Sequence, residues 1–268
     1  MEPKFKDSVV VITGGGRGIG RAIALEFAGE GATVVLAGRR MDALETTARE
    51  AVTAGGNADV MHCDVAKEAH LHALVGHTIR TRGKIDVLVN NAGVVAGGRL
   101  DEIGPDDVRR MVEVNIWAAV RLTQLALPHM REAGAGTIVN VSSVAGRIGL
   151  PYYAAYCASK FALRGFSEAL RREVRPDGVH VVAVYPGGTA TDMLENVEFD
   201  RVGLPVATAE QVARAVVRGV RRRQPEVFVG AGDALISRWN DLAPWTVDLG
   251  VDAVRERVHS AVANQRTS

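Results

Sequence analysis

The sequence predicts an α/β fold, a single domain built on a doubly wound parallel sheet with helices on both faces. Short runs rich in β-branched residues alternate along the chain with longer segments whose apolar residues recur at helical spacing. Parallel strands joined through helices need crossovers of one hand, and these place helices on both faces of the sheet. The length of 268 residues suits one such unit, and no linker or repeat divides it.

The elements follow one another in strict alternation. Valine and isoleucine dominate the predicted strands, and each predicted helix has apolar residues three and four positions apart. The predicted strands are Val9–Ile12, Ala32–Ala37, Ala58–Cys63, Ile85–Val89, Thr137–Val141 and Val179–Val184, followed by a strand-like stretch at Glu226–Gly230. The predicted helices are Arg21–Phe27, Ala43–Ala54, one ending near Thr81, Val108–Met130 and Tyr156–Val174. Within the single domain, 1–268, we expect a substrate loop at about 188–208 and a C-terminal extension at about 231–268. Ligands of such Rossmann-like sheets bind beyond the carboxyl ends of the strands.

Composition and charge argue against several classes of partner and place. With 32 basic and 31 acidic residues there is no overall field for nucleic acid, and the arginines at 218 and 221–223 are expected to solvate a helix end. Two cysteines, Cys63 and Cys157, give neither a disulfide framework nor a metal-binding spacing. No apolar run is long enough to cross a membrane, and the polar N-terminus leads us to expect no signal peptide. The expected location is the cytoplasm.

A glycine-rich turn follows the first strand and opens the first helix. Its backbone can turn tightly and bring a helix N-terminus against a phosphate, which predicts a pyrophosphate site. The spacing is TGxxxGxG and not GxGxxG. The candidate cofactor-binding residues here are Thr13, Gly14, Gly16, Arg17, Gly18, Ile19 and Gly20.

The end of the second strand predicts the choice of nucleotide. NAD-binding folds usually place a carboxylate there to bind the ribose 2′-hydroxyl, but this chain has Gly38 and Arg39. A guanidinium binds a 2′-phosphate with paired hydrogen bonds, so Arg39, together with Arg17, favours NADP(H). The alternative is that Arg39 and Arg40 only solvate the end of the strand, which would leave NAD open.

Tyr156 and Lys160 are the candidate proton-transfer pair. Their spacing of four places both on one face of a helix. Lowering a phenol pKa from about 10 to near 7 requires roughly 4 kcal/mol. One ammonium about 4 Å away at an effective dielectric near 20 supplies roughly that amount. We therefore expect Lys160 to lower the pKa of Tyr156, although the same spacing also occurs in ordinary surface pairs.

Four motifs stand in a familiar order. TGxxxGxG, Asn90-Asn91-Ala92-Gly93, Ser143 and Tyr156-x-x-x-Lys160 resemble the short-chain dehydrogenase/reductase family over roughly residues 6–195. The resemblance implies that Ser143 and Tyr156 bind the substrate oxygen and that Tyr156 transfers the proton. It also implies that Lys160 holds the nicotinamide ribose and that Asn115 anchors a water leading from the lysine to solvent. The implied reaction is hydride exchange between a carbonyl and a primary or secondary alcohol.

The resemblance implies further contacts with the nucleotide. Asp64 and Val65 would meet the adenine, and the segment Asn91, Ala92 and Gly93 would line the adenosine side. At the nicotinamide end it implies Pro186, Gly187, Thr189 and Thr191. Gly188-Thr189 departs from the bulkier residue usual in the family.

The segments flanking the implied site are apolar and favour a hydrophobic small-molecule carbonyl or alcohol, although apolar residues also serve for packing alone. These residues are Ile148, Leu150, Tyr152, Tyr153, Met193, Leu194, Val197 and Phe199. We expect no metal site. The histidines His70, His72 and His77 lack companion ligands and are predicted to lie on a solvated helix face.

Other functions remain open at this point. A protein of this fold could bind a dinucleotide as a sensor or scaffold without turnover, or could epimerise or dehydrate its substrate. The C-terminal extension, with Trp239 and Trp245, could close the pocket, pack on a neighbouring subunit or lie on a membrane surface. Members of the family often associate through the helices predicted at Val108–Met130 and Tyr156–Val174, which implies a homodimer or homotetramer.

Overall fold

A computed structural model describes residues 5–189, 206–250 and 252 of the chain. In this part of the chain, seven parallel strands form one sheet in the order β3-β2-β1-β4-β5-β6-β7. The strands are β1 (Val9–Thr13), β2 (Thr33–Gly38), β3 (Asn57–His62), β4 (Val87–Asn90), β5 (Gly136–Val141), β6 (Val179–Tyr185) and β7 (Glu226–Phe228). The strand order reverses between β1 and β4, so a crevice opens there at the carboxyl ends of the strands.

Helices cover both faces of the sheet. They are α1 (Gly18–Gly29), α2 (Met41–Thr53), α3 (Glu68–Arg82), α4 (Pro105–Val112), α5 (Ala118–Ala133), α6 (Ala154–Val174), α7 (Ala209–Arg221) and α8 (Ala231–Leu242). A π-helical segment, Glu113–Trp117, joins α4 to α5, and a 3₁₀ turn, Val144–Gly146, follows β5. Residues 244–250 are helical as well. The predicted doubly wound α/β fold is confirmed.

Alternate residues of each central strand enter two separate cores. In β1, Val10 and Ile12 pack into the core under α1, α2 and α7. Val9 and Val11 point the opposite way, into the core under α3, α5 and α6. All four are at most 4% exposed, because a strand covered on both faces is apolar on both. The cores hold the strands, and with them the carboxyl-end loops, in fixed register.

One predicted helix is not continuous in the structure. The continuous helix expected over Val108–Met130 is interrupted by the π-helical segment Glu113–Trp117. A π turn inserts an extra residue, and such bulges often occur at functional sites. Here the segment contains Asn115, whose side chain is buried. Periodicity could not reveal it, because the apolar pattern on either side is still that of one helix.

Candidate active site

The glycine turn between β1 and α1 leaves a helix N-terminus open to an anion. Gly14 and Gly18 have positive φ, at 69° and 51°, which glycine adopts without strain. A Cβ on Gly20 would lie 2.2 Å from the Gly14 carbonyl oxygen, so only glycine fits there. Helix α1 has neither a side-chain N-cap nor an acidic residue in its first turn. Its first N–H groups are thus available to a phosphate, and the turn fits a dinucleotide.

Thr13 and Asn91 connect the ends of β1 and β4 under this turn. The Thr13 hydroxyl accepts hydrogen bonds from the backbone N–H groups of Asn91 and Ala92, each at 3.0 Å. In return, the Asn91 amide donates to the Thr13 carbonyl at 2.9 Å. Thr13 is 1% exposed and lies behind the cleft, where it holds the Asn91 segment in place.

Two exposed guanidinium groups lie where β2 ends. Arg39 and Arg40 line the cleft and follow Gly38, which presents no side chain to a ribose. Within the described part of the chain, neither arginine forms an ion pair with a carboxylate. Arg17 lines the cleft from the glycine turn. Arg39 and Arg40 therefore carry positive charge that is available to an anionic ligand at the end of β2.

The β3 end carries Asp64 and Val65, and both line the cleft. The backbone N–H of Asp64 donates to Nδ1 of His70 at 3.0 Å, and the His70 ring contacts the His62 ring edge to face. The prediction of a solvated helix face is therefore wrong for His70. Its half-buried ring shapes the turn after β3, while His72 faces solvent and contacts Glu68.

The catalytic candidates meet at the opposite end of the cleft. Ser143 follows β5 and lines the cleft together with Tyr156, which lies near the start of α6. Lys160, one turn further along α6, is 5% exposed and donates to the Val141 carbonyl at 3.0 Å. Its Nζ lies 5.8 Å from the centre of the Tyr156 ring. Sequence spacing predicted this meeting.

The pKa of Tyr156 differs from the value that the sequence led us to expect. Burial raises the pKa of the Tyr156 phenol to about 12, although interaction with the Ser143 side chain acts in the opposite direction. Burial also lowers the pKa of the Lys160 ammonium to about 8. The expectation that Lys160 brings the Tyr156 pKa near 7 is wrong for this geometry, because burial of the phenol raises its pKa. Tyr156 is a protonated phenol at neutral pH.

Asn115 supports the pair from the π-helical segment. Its Oδ1 accepts from the Val94 N–H at 2.8 Å, and its Nδ2 donates to the Val94 carbonyl at 2.9 Å and to Ser159 Oγ at 3.0 Å. The Ser159 hydroxyl in turn donates to the Tyr156 carbonyl. Asn115 is 2% exposed, so it braces α6 against the Gly93–Val94 segment from behind the cleft.

The loop after β6 lines the cleft at the residues that the resemblance assigns to the nicotinamide. Pro186, Gly187 and Thr189 line the cleft, and Thr189 Oγ1 donates to the Gly187 carbonyl at 3.2 Å. Thr191 lies outside the described residues, as do Met193, Leu194, Val197 and Phe199.

One cleft of about 840 Å³ is lined by most of these groups, while Thr13 and Asn115 lie behind it. The lining includes Gly14, Gly16, Arg17, Gly18, Ile19, Gly20, Arg39, Asp64, Val65, Asn91, Ala92, Gly93, Ser143, Tyr156, Lys160, Pro186, Gly187 and Thr189. Among the described residues, no group of three or more His, Cys, Asp or Glu side chains is placed to hold a metal ion. In the same ranges, no helix has the length and apolar character that crossing a membrane requires.

Comparison with known proteins identifies the family. The family profile described as short chain dehydrogenase matches residues 8–201. The chain belongs to the short-chain dehydrogenase/reductase family. It is 38% identical over 245 residues to the oxidoreductase SadH of Mycobacterium tuberculosis, covering 84% of this chain and 87% of SadH. The family resemblance inferred from the four motifs is confirmed.

Solved structures of the family have bound both nucleotides. A short-chain dehydrogenase/reductase from Burkholderia phymatum in complex with NAD superposes with a TM-score of 0.81 at 29% identity, covering 88% of this chain and 93% of that one. A metagenomic short-chain oxidoreductase in complex with NADP gives 0.71 at 34% identity, with coverage of 80% and 90%. Members of the family with solved structures thus bind either nicotinamide dinucleotide.

Sequence reasoning missed one wall of the cleft. Helix α4 and the π-helical segment contribute Arg110 and Val114, four residues apart on one face, and Glu113 beside them. Val114 is 8% exposed and adjoins Asn115. The Arg110–Val114 spacing was a signal in the sequence, but an ordinary core-facing helix would show the same spacing.

Proposed function

We propose that the chain is an NADP(H)-dependent oxidoreductase that interconverts a carbonyl and a primary or secondary alcohol on a hydrophobic small molecule. The observation that carries the proposal is the meeting of Ser143, Tyr156 and Lys160 at the nicotinamide end of the dinucleotide cleft. A sensor or scaffold of this fold needs the cleft but has no need of a buried ammonium beside a half-buried phenol.

Each side chain has a distinct part in the reduction. A bound nicotinamide supplies the hydride that adds to the carbonyl carbon. Ser143 and Tyr156 hydrogen-bond the carbonyl oxygen and so fix the orientation of the carbonyl group. As the C=O π electrons move to oxygen, Tyr156 transfers its proton there, and the Lys160 ammonium stabilises the phenolate that remains. Asn115 fixes α6 so that the three groups keep their spacing. The Tyr156 phenol, whose pKa burial raises, carries the proton that this step transfers.

Apolar groups beside Tyr156 support a hydrophobic substrate. Tyr153 and Cys157 pack with Ala145 into a small cluster, against which Leu150 and Tyr152 lie partly buried. Tyr153 meets the Tyr156 ring edge to face, with centroids 6.4 Å apart. A relative consistent with this is HetN of Nostoc, named a ketoacyl reductase, which is 37% identical over 222 residues, or 82% of this chain and 77% of HetN.

A substrate panel with NADPH and NADH tests the reaction. Hydrophobic aldehydes and ketones, and the matching alcohols with the oxidised nucleotides, are followed at the nicotinamide absorbance. Tyr156→Phe removes only the proton donor, so we expect kcat to fall about 10²- to 10⁴-fold with nucleotide binding retained. Absence of turnover on the whole panel, or full activity in the variant, would overturn the proposal in favour of a sensor.

The cofactor preference is tested by reversing one charge. Arg39→Asp would repel a 2′-phosphate and lose its paired hydrogen bonds, so NADPH affinity falls about 10- to 100-fold while NADH affinity changes little. Arg80→Asp on the exposed end of α3 makes the same charge change away from the cleft and serves as the control. If the affinities for NADPH and NADH fell equally, the preference for NADP(H) would be refuted and NAD would remain as the alternative cofactor.

Apolar side chains on one outer face support a homodimer or homotetramer. Trp117 is 53% exposed at the end of the π-helical segment, Val112 is 47% exposed, and Phe161 on α6 is 38% exposed. Buried between subunits, they would contribute the apolar core of an interface. We also place the enzyme in the cytoplasm, because Cys63 and Cys157 are both unpaired thiols.

A further inference from the structure

Arg147 is a buried arginine directly behind the candidate active site. It lies four residues after Ser143, at the end of the 3₁₀ turn that Ser143 opens, and it is 5% exposed. A buried guanidinium is stable only when charges and hydrogen bonds compensate its lost hydration.

The compensation comes from two distant parts of the chain. Arg147 Nη1 donates to a Glu226 carboxylate oxygen on β7 at 2.9 Å, and Nη2 donates to Asp241 on α8 at 3.3 Å. The guanidinium also stacks over Tyr185 and Phe228, with its central carbon 5.3 and 5.6 Å from the ring centres. Nε has no hydrogen-bond partner among the described residues, so the two carboxylates provide the stabilising contacts.

Next to Arg147, the serine turn (residues 143–147) is linked to the loop that follows β6 (residues 186–189), which we call the nicotinamide loop. The Val144 N–H donates to the Pro186 carbonyl at 2.9 Å, and the Ala145 N–H donates to Ser143 Oγ at 3.1 Å. Tyr185, which stacks under Arg147, immediately precedes Pro186. A shift of Arg147 would therefore be transmitted to both Ser143 and the loop after β6.

Helix α8 spans these two points. Near its start, the Asp233 carboxylate lies close to Gly187, where a Cβ would be 3.0 Å from Oδ2. Near its end, Asn240 donates to the Arg147 carbonyl at 3.2 Å, and Asp241 binds the guanidinium. The helix thus contacts the nicotinamide loop at one end and the serine turn at the other.

We propose that Arg147 is a positioning residue through which helix α8 fixes Ser143, so that this helix is required for the chemical step. This inference rests on the proposed function, because Ser143 must hydrogen-bond the carbonyl oxygen for its placement to matter. Displacing a group at a reacting centre by about 1 Å can lower the rate about 10²-fold.

Two variants and one matched control test the proposal. Arg147→Met removes the central cation and leaves the Glu226 and Asp241 carboxylates in place. Asp241→Asn removes the α8 carboxylate, together with its 3.5 Å contact to Arg164, leaves the pair between Arg147 and Glu226 intact and carries the test should Arg147→Met fail to fold. Arg82→Met is the control, since Arg82 makes a comparable two-point ion pair with Asp59 at the far edge of the sheet.

The measurements are kcat and nucleotide Kd with the best substrate of the panel, and amide hydrogen exchange over residues 142–147. We expect both test variants to lose about tenfold or more in kcat, with NADPH Kd within about threefold of wild type, and to exchange faster at these amides. Arg82→Met should change neither the rate nor this exchange.

The outcomes separate the two levels of inference. If both test variants match Arg82→Met in kcat and in exchange, Arg147 is only a structural ion pair and the proposal is overturned. A wild-type protein without turnover would instead refute the proposed function, and the exchange of residues 142–147 would then decide alone whether α8 fixes the serine turn.

Discussion

Removing Lys160 should make stability less dependent on pH. Burial lowers the pKa of its ammonium from 10.5 to about 8, so the folded state releases the proton at a lower pH than the unfolded chain does. Between pH 8 and 10.5 the unfolded state therefore binds more protons, and the free energy of unfolding rises with pH. At 1.36 kcal/mol per pKa unit, wild type should gain about 2–3 kcal/mol relative to Lys160→Met between pH 7 and 10.

Urea unfolding of wild type and Lys160→Met at intervals from pH 7 to 10 measures this difference directly, because subtracting the two curves cancels titrations common to both. At pH 7 the variant also loses the hydrogen bond to the Val141 carbonyl, which offsets about 1–3 kcal/mol of the charge relief. Lys84→Met, which removes a half-exposed lysine paired with Asp86, is the control and should give parallel curves. If the curves of wild type and Lys160→Met also ran parallel between pH 7 and 10, burial would not destabilise the Lys160 ammonium.

Two further predictions concern nucleotide binding and assembly. Gly20→Ala would place a Cβ 2.2 Å from the Gly14 carbonyl oxygen, and we expect NADPH affinity measured by fluorescence titration to fall about 10- to 100-fold. Gly29→Ala, in the same helix with its nearest neighbour at 3.9 Å, should bind normally, and equal behaviour of the two variants would contradict the packing argument. Trp117→Arg should weaken self-association at least about 100-fold in sedimentation velocity, because the substitution acts in both subunits; an unchanged sedimentation coefficient would place the interface elsewhere.

The fold and most of the cleft could be predicted because each depends on local patterns. Strands such as Val9–Thr13 are apolar on both faces. The glycine turn and the Tyr156–Lys160 pair each lie within a short stretch of consecutive residues. The missed features depend on contacts between distant segments. Arg147 meets its carboxylates 79 and 94 residues away, and the π-helical segment around Asn115 has the composition of an ordinary helix.

The pKa of Tyr156 shows why spacing alone could not predict the electrostatics. Sequence places an ammonium one helical turn from the phenol, and the attraction between that charge and a phenolate was the only effect that spacing could evaluate. Burial of both groups acts in the opposite direction, and its size depends on Val141, Ser143 and the surrounding cores. The sign of the result therefore becomes visible only in the folded chain.

The two buried cations of the site are compensated in different ways, and the difference follows from their roles. Arg147 has carboxylate partners on two elements, so its charge is neutralised and its position is fixed. Lys160 has a carbonyl oxygen as its hydrogen-bond acceptor, and no carboxylate among the described residues forms an ion pair with it. A carboxylate beside Lys160 would stabilise the folded chain, but it would cancel the positive field that the proposed phenolate of Tyr156 needs. Loss of stability at Lys160 is therefore expected if it has the proposed catalytic role, and a variant that introduces a carboxylate beside it should be more stable and less active.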